Sequence, residues 1–148
     1  MPSTYLSLHY HLVFSTKNRQ PSISDRLAPD LHAYMGGIIR ALGGVALAVG
    51  GVADHVHVLV GLKPVHSVAS VIRDLKSGSS QWVHQRKRDP GFWWQEGYAA
   101  ITISPVATES VRRYIETQRE HHHKREFREE LIEMLRDNGI AYNEEFLD

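Results

Sequence analysis

Cysteine is absent from all 148 residues, which excludes disulfides, thiolate metal sites and cysteine nucleophiles. That absence fits a reducing cytoplasm. Long apolar runs are missing too, each being broken by glycine, histidine or charge, and no basic segment followed by an apolar stretch opens the chain. Neither a membrane span nor a secretory signal is supported. There is no phosphate-binding or dinucleotide glycine pattern, so nothing points to a nucleotide cofactor. Net charge of one sign is lacking as well, with 17 Lys+Arg against 17 Asp+Glu, which argues against an indiscriminate nucleic-acid binder.

The zero sum conceals a division. Residues 1–125 carry 15 Lys+Arg against 9 Asp+Glu, whereas 126–148 carry 2 against 8. A basic body can hold a phosphate backbone, and an acidic tail can limit unspecific binding or pair with a basic neighbour. Ordinary solvated charge would give the same pattern. The length suits one domain over 1–148, with a core at about 5–123 and an acidic helix and tail over 126–148.

Tyr5 to Ser15 alternates as a strand and ends in the polar turn Thr16-Lys17-Asn18-Arg19-Gln20-Pro21. Ser22 to Asp25 has capping-box spacing, and Leu27, Leu31, Met35, Ile38, Ile39 and Leu42 follow at helical intervals up to Gly43-Gly44. Two strands, 45–52 and 55–62, are expected next, with a bulge or bend at Gly50-Gly51. Ser67 caps a second helix, Phe92 to Ile103 reads as a last strand kinked at Gly97, and Thr108 opens a third helix through about His123. Phe127, Leu131, Met134 and Leu135 mark a fourth helix ending at Asn138-Gly139. The order β-α-β-β-α-β followed by helices predicts an α+β, ferredoxin-like antiparallel sheet with additional C-terminal helices.

Within that frame, Asp54-His55-Val56-His57-Val58-Leu59-Val60 puts two imidazoles on one face of a strand and the valines on the other. The pair would lie mid-sheet, where unpartnered buried imidazoles are costly, and a metal ion supplies the partner. Imidazole suits Mn, Ni, Co or Zn better than Mg, and a third ligand is required. An H-x-H motif alone is weak, and two ordinary strand histidines would look the same. About sixty residues on, Tyr114 and Gln118 stand four apart, so a helix presents phenol and amide on one stripe. An amide oxygen suits Mg or Mn, whereas a core tyrosine with its hydroxyl at the surface is the plainer reading of Tyr114.

Other candidates are less specific. His121-His122-His123 points in three directions on a helix and reads as a basic helix end near Lys124-Arg125. His11, on the strand beside the His pair, is either a satisfied sheet residue or a group that orients a ligand. Lys17, Asn18 and Arg19, then Arg73 and Lys76 with Ser77 to Ser80, and Arg86-Lys87-Arg88 offer phosphate contacts. Trp93, Trp94 and Tyr98 can stack on bases, with one tryptophan expected in the core and the other outside.

Taken together, the His55-Val56-His57 strand, Arg113-Tyr114-Ile115-Glu116-Thr117-Gln118, the basic turn after the first strand and Trp94-Gln95-Glu96-Gly97-Tyr98 resemble the single-tyrosine HUH transposases of the insertion-sequence 200/605 family. The likeness covers nearly the whole chain. It implies that His55, His57 and Gln118 bind a divalent ion, Mg or Mn, and that Tyr114 is the nucleophile on single-stranded DNA folded into hairpins. It implies a homodimer in which the tyrosine helix can complete the partner's site; the expected location is the cytoplasm, at the nucleoid when bound to DNA. Related domesticated nickases act on repetitive palindromes and share these motifs.

The residue chemistry agrees. A phenol with a reference pKa of about 10 needs help to attack a phosphodiester, and a divalent ion supplies part of it. A 5′-phosphotyrosine would retain the bond energy for rejoining, so no ATP is needed. Two rival readings stand beside this one: a noncatalytic single-strand-binding module on a ferredoxin-like sheet, and a metal-dependent phosphodiesterase that uses water.

Overall fold

The structure, a computed structural model, describes residues 3–122 and 126–147. Four strands, β1 (His9–Ser15), β2 (Val45–Val52), β3 (His55–Gly61) and β4 (Ala99–Ile103), form one antiparallel sheet in the order β2-β3-β1-β4. Helices α1 (Leu27–Ala41) and α2 (Val68–Arg86) provide the crossovers of the expected ferredoxin-like arrangement. Three more follow: α3 (Thr108–Glu116), α4 (Gln118–His122) and α5 (Phe127–Asp137). No helix among the described residues is long and apolar enough to cross a membrane.

Alternation along β3 decides which side chain goes where. Val56, Val58 and Val60, with Leu12 and Phe14 of β1, pack against Leu31, Met35 and Ile39 of α1 and Val71, Ile72 and Leu75 of α2. Each such side chain contributes roughly 1.5–3 kcal/mol by leaving water. The opposite face carries His55, His57 and Leu59, and there Ile115 of α3 packs on Leu59 and Ala48. β3 is thus buried on both faces, which places its histidines in an interior.

Several boundaries differ from the sequence expectation. β1 starts at His9 because its ladder partner ends there, His9 pairing with Gly61, so Tyr5 and Leu6 are left exposed. β4 starts at Ala99 because positive φ at Gly97 breaks the run, and Trp94 makes only an isolated bridge to Thr16. The β2 irregularity falls between Ala46 and Ala48, not at Gly50-Gly51. Those glycines serve close approach instead: a Cβ on Gly50 would lie 2.4 Å from the Ile115 carbonyl oxygen, and one on Gly51 2.2 Å from that of His55.

Helix ends show similar adjustments. Ser67 caps α2 as expected, accepting from the Ser70 amide at 3.1 Å, and Gly139 with positive φ follows α5. At α1 it is Ser24, not Ser22, that accepts from the Leu27 amide. Thr108 bonds back to the Pro105 carbonyl and caps nothing. The expected single third helix divides at Thr117, whose hydroxyl donates to the Arg113 carbonyl at 2.8 Å, a back-bonding pattern that bends helices.

Candidate active site

His55 and His57 stand side by side on the open face of β3, both fully buried. The Nδ1 of His55 donates to the Asp54 carboxylate at 2.8 Å, which turns Nε2 toward Gln118 Oε1 at 3.1 Å and Glu130 Oε1 at 3.3 Å. His57 Nε2 donates to Glu130 Oε1 at 2.9 Å, and its Nδ1 shares a 2.8 Å hydrogen bond with His11 Nε2. Tyr114 donates its hydroxyl hydrogen to Glu130 Oε2, and the Gln118 amide donates to the same oxygen at 3.3 Å. The rings pack as well, Phe127 stacking on His55 at 4.1 Å and Tyr114 meeting His57 edge-on at 5.6 Å.

Burial pulls the His55 pKa down, but hydrogen bonds to Asp54 and Glu130 and their charges outweigh it, so the net direction is up. His55 Nε2 faces two acceptor oxygens at the position where an ion would sit. His11 moves the other way: burial first, then the neighbouring His57, push it down to about 3 against the pull of Glu130. It stays a neutral imidazole.

The residues fit a divalent ion. His55, His57 and Glu130 offer ligand atoms that all lie within 4.8 Å of one another, and Gln118 Oε1 borders the group. Contacts of 2.9–3.3 Å match the separation of roughly 3 Å between adjacent ligands of an octahedral ion bound at about 2.1 Å. Two imidazoles, an amide oxygen and a carboxylate suit Mn, and the oxygen ligands suit Mg. Asp54 and His11 occupy the outer nitrogens, which fixes the orientation of both rings.

All four centrepiece residues expected from sequence, His55, His57, Tyr114 and Gln118, meet within one chain. Glu130 was not anticipated. It lies in what reads as an acidic, solvated tail, yet it is 1% exposed. The available signal was its spacing, three after Phe127 and four before Met134, which sets a carboxylate on the apolar stripe of α5.

The candidate DNA contacts divide by position. The turn Lys17–Arg19 lies at the same end of the sheet as His55, since Ser15 pairs with His55 and the Thr16 amide donates to the Asp54 carbonyl. Its Asn18 amide donates to the Gln95 side chain at 2.9 Å. Lys76 donates to the carbonyls of Gln95 and Gly97 at 2.8 and 2.7 Å, and so holds the loop before β4. Burial lowers its pKa against the pull of Glu96. Arg73 lies on α2, across the sheet from the His pair, with its guanidinium 3.5 Å from Asp74. Trp93 is exposed and Trp94 buried, its indole donating to Ser79. The side chains of His121 and His122, and all of His123, Lys124 and Arg125, lie outside the described residues.

The sheet order, with a helix-borne tyrosine over its open face, is the fold of the tyrosine transposases. A family model described as Transposase IS200 like matches residues 4–118, and the chain belongs to that family. It is 24% identical over 117 residues to the ISDra2 transposase TnpA of Deinococcus radiodurans, covering 75% of this chain and 84% of that protein. Among solved structures it is similar to one described as a candidate transposase from Deinococcus radiodurans R1, with a TM-score of 0.63 and 26% identity over 80% of this chain and 96% of the other. A REP-associated tyrosine transposase bound to a REP hairpin shares the fold, with a TM-score of 0.52 and 14% identity over 80% of this chain and 70% of that one.

Proposed function

We propose that this transposase, acting as one domain over 1–148, cuts and rejoins single-stranded DNA at hairpin-marked ends through a 5′-phosphotyrosine on Tyr114. The observation that carries the reading is the meeting of Tyr114, His55, His57 and Gln118 around one buried pocket, reached from two separate parts of the chain. His55, His57 and Gln118 would hold a divalent ion, Mg or Mn, with the Glu130 carboxylate beside them. When bound, the ion polarises a non-bridging phosphate oxygen and orients the phosphodiester. Tyr114 loses its proton and attacks phosphorus, the bond to the 3′-oxygen breaks, and that oxygen leaves as a hydroxyl after taking up a proton. A 3′-hydroxyl attacking the phosphotyrosine reverses the step and frees Tyr114.

Around the centre, the Lys17–Arg19 turn is set to contact the backbone of a strand entering from the His55 end, with exposed Trp93 and Tyr98 available for stacking. Arg73 and Lys76 would add charge along α2. One tyrosine permits one covalent link per site, so moving a DNA segment calls for two chains, and we assign the acting form as a homodimer in the cytoplasm, at the nucleoid when bound.

Incubation with labelled single-stranded hairpins and Mn or Mg tests the reading. A protein–DNA adduct that survives denaturant and disappears with chelator is expected. Cleavage without an adduct would instead mean a water nucleophile, and chelator-insensitive binding without cleavage a plain binding module.

A further inference from the structure

The pocket that gathers the reactive groups is closed. His55 and His57 are 0% exposed, and Gln118 and Glu130 1%. A phosphodiester cannot reach such atoms unless something moves, and α5 lies over them, anchored by Glu130 inside and by the Phe127 ring stacked on His55. Beyond this anchor α5 packs less fully. A mostly apolar cavity of about 500 Å³ separates its Leu131 and Leu135 from Val13, Tyr98 and Ala100 of the sheet side, and a gap of that kind forfeits dispersion contacts.

The carboxylate of Glu130 is placed as a reacting phosphate would have to be. Its Oε1 faces the Nε2 atoms of both histidines, where a non-bridging oxygen would meet the ion, and its Oε2 accepts from the Tyr114 hydroxyl, where phosphorus would be attacked. Gln118 donates to that second oxygen as well. Phosphate and carboxylate are both anionic acceptors, and both cannot share one desolvated pocket.

We propose that α5 is an internal substrate mimic: Glu130 occupies the seat of the scissile phosphate and ties up the Tyr114 hydroxyl, and DNA is cut only after α5 withdraws. This rests on the reading of Tyr114 as nucleophile. Glu130 is then a restraint on the reaction, which sets this assignment against one in which it is a working ion ligand.

The test uses the full chain as wild type, Glu130→Gln and Phe127→Ala. Glu130→Gln keeps the side-chain volume and removes the charge, and Phe127→Ala loosens the anchor without touching the carboxylate. Two readouts are taken: amide hydrogen exchange of residues 127–137 without DNA, and the initial rate of adduct formation on a labelled single-stranded hairpin with saturating Mn. Losing the charge-assisted hydrogen bonds in the one variant, or the ring stacked on His55 in the other, should speed exchange across α5 about tenfold or more, leave β1 and β3 protected, and raise the adduct rate by a similar factor. Unchanged exchange across α5 in Glu130→Gln overturns the proposal whether or not any DNA is cut. An adduct rate that falls in Glu130→Gln overturns it too, and makes Glu130 a ligand that the reaction needs. Loosened α5 with no adduct from any of the three proteins sinks the nucleophile assignment instead, and leaves α5 as a cover held by Glu130.

Discussion

His11 and His57, 46 residues apart, share a 2.8 Å hydrogen bond between Nε2 of the first and Nδ1 of the second. When His57 Nε2 gives its lone pair to an ion, the ring hydrogen stands on Nδ1, and His11, kept neutral by burial, accepts it. The partner of His55 is a carboxylate and that of His57 an imidazole, so the two ligands are held by different means. His11→Ala should weaken Mn binding by about 10- to 100-fold with little change in hairpin affinity, as titration calorimetry with Mn and a separate gel-shift assay would reveal.

Tyr114→Phe removes one oxygen and leaves the ring that meets His57. The variant should bind single-stranded hairpin DNA as the wild type does and form no covalent adduct. An adduct from Tyr114→Phe would assign the nucleophile elsewhere.

Gly50 lets α3 lie directly on β2. Gly50→Ala would place a methyl group 2.4 Å from the Ile115 carbonyl oxygen, a backbone atom that cannot swing aside. Overpacking of this kind costs about 1–3 kcal/mol, which urea unfolding should register as a lower midpoint with an unchanged slope.

Stability should fall in mild acid partly through His32 of α1. Among the described residues its Nε2 is a buried atom without a hydrogen-bond partner, and burial pushes its pKa down to about 4. Because the folded value lies below the unfolded one near 6.5, the unfolded chain takes up the proton first as pH drops. The contribution is complete above pH 6.5 and is lost from there toward pH 4. His55, shifted upward, has the opposite sign and offsets part of the effect. In His32→Leu the loss of unfolding free energy between pH 7 and pH 5 should be smaller by about 1–2 kcal/mol, measured by denaturant titration at each pH.

Lys17 and Arg19 are expected to act through charge alone. Replacing each with Gln should weaken hairpin binding and flatten its dependence on log salt concentration by about 0.7 per charge removed, independent of the base sequence. A loss confined to one sequence would mean base reading in place of phosphate contact.

Much of this site is legible along the chain because its parts obey short periods. Period two in 55–60 sends imidazoles one way and valines the other, and spacing of four brings Tyr114 and Gln118 to one direction even across the break at Thr117. The break itself was hidden, since a threonine inside a helical pattern reveals its hydroxyl's carbonyl partner only once the backbone is built. The β4 start was obscured in the same way: aromatic residues from Phe92 onward look like a strand, but they fill the core and a loop held by Lys76.

Local pattern alone determined that a ferredoxin-like sheet forms, that two histidines share a face of a central strand, and that a phenol and an amide travel together on a helical segment, because each follows from neighbours within a few residues. Tertiary packing alone decided that Glu130, 73 residues from His57, drops into the pocket, that His11 props His57, and that the two histidines, Gln118 and Glu130 are shut from water. Those outcomes depend on which faces meet when separate elements bury their apolar stripes, and no period within a single stretch of chain carries that information.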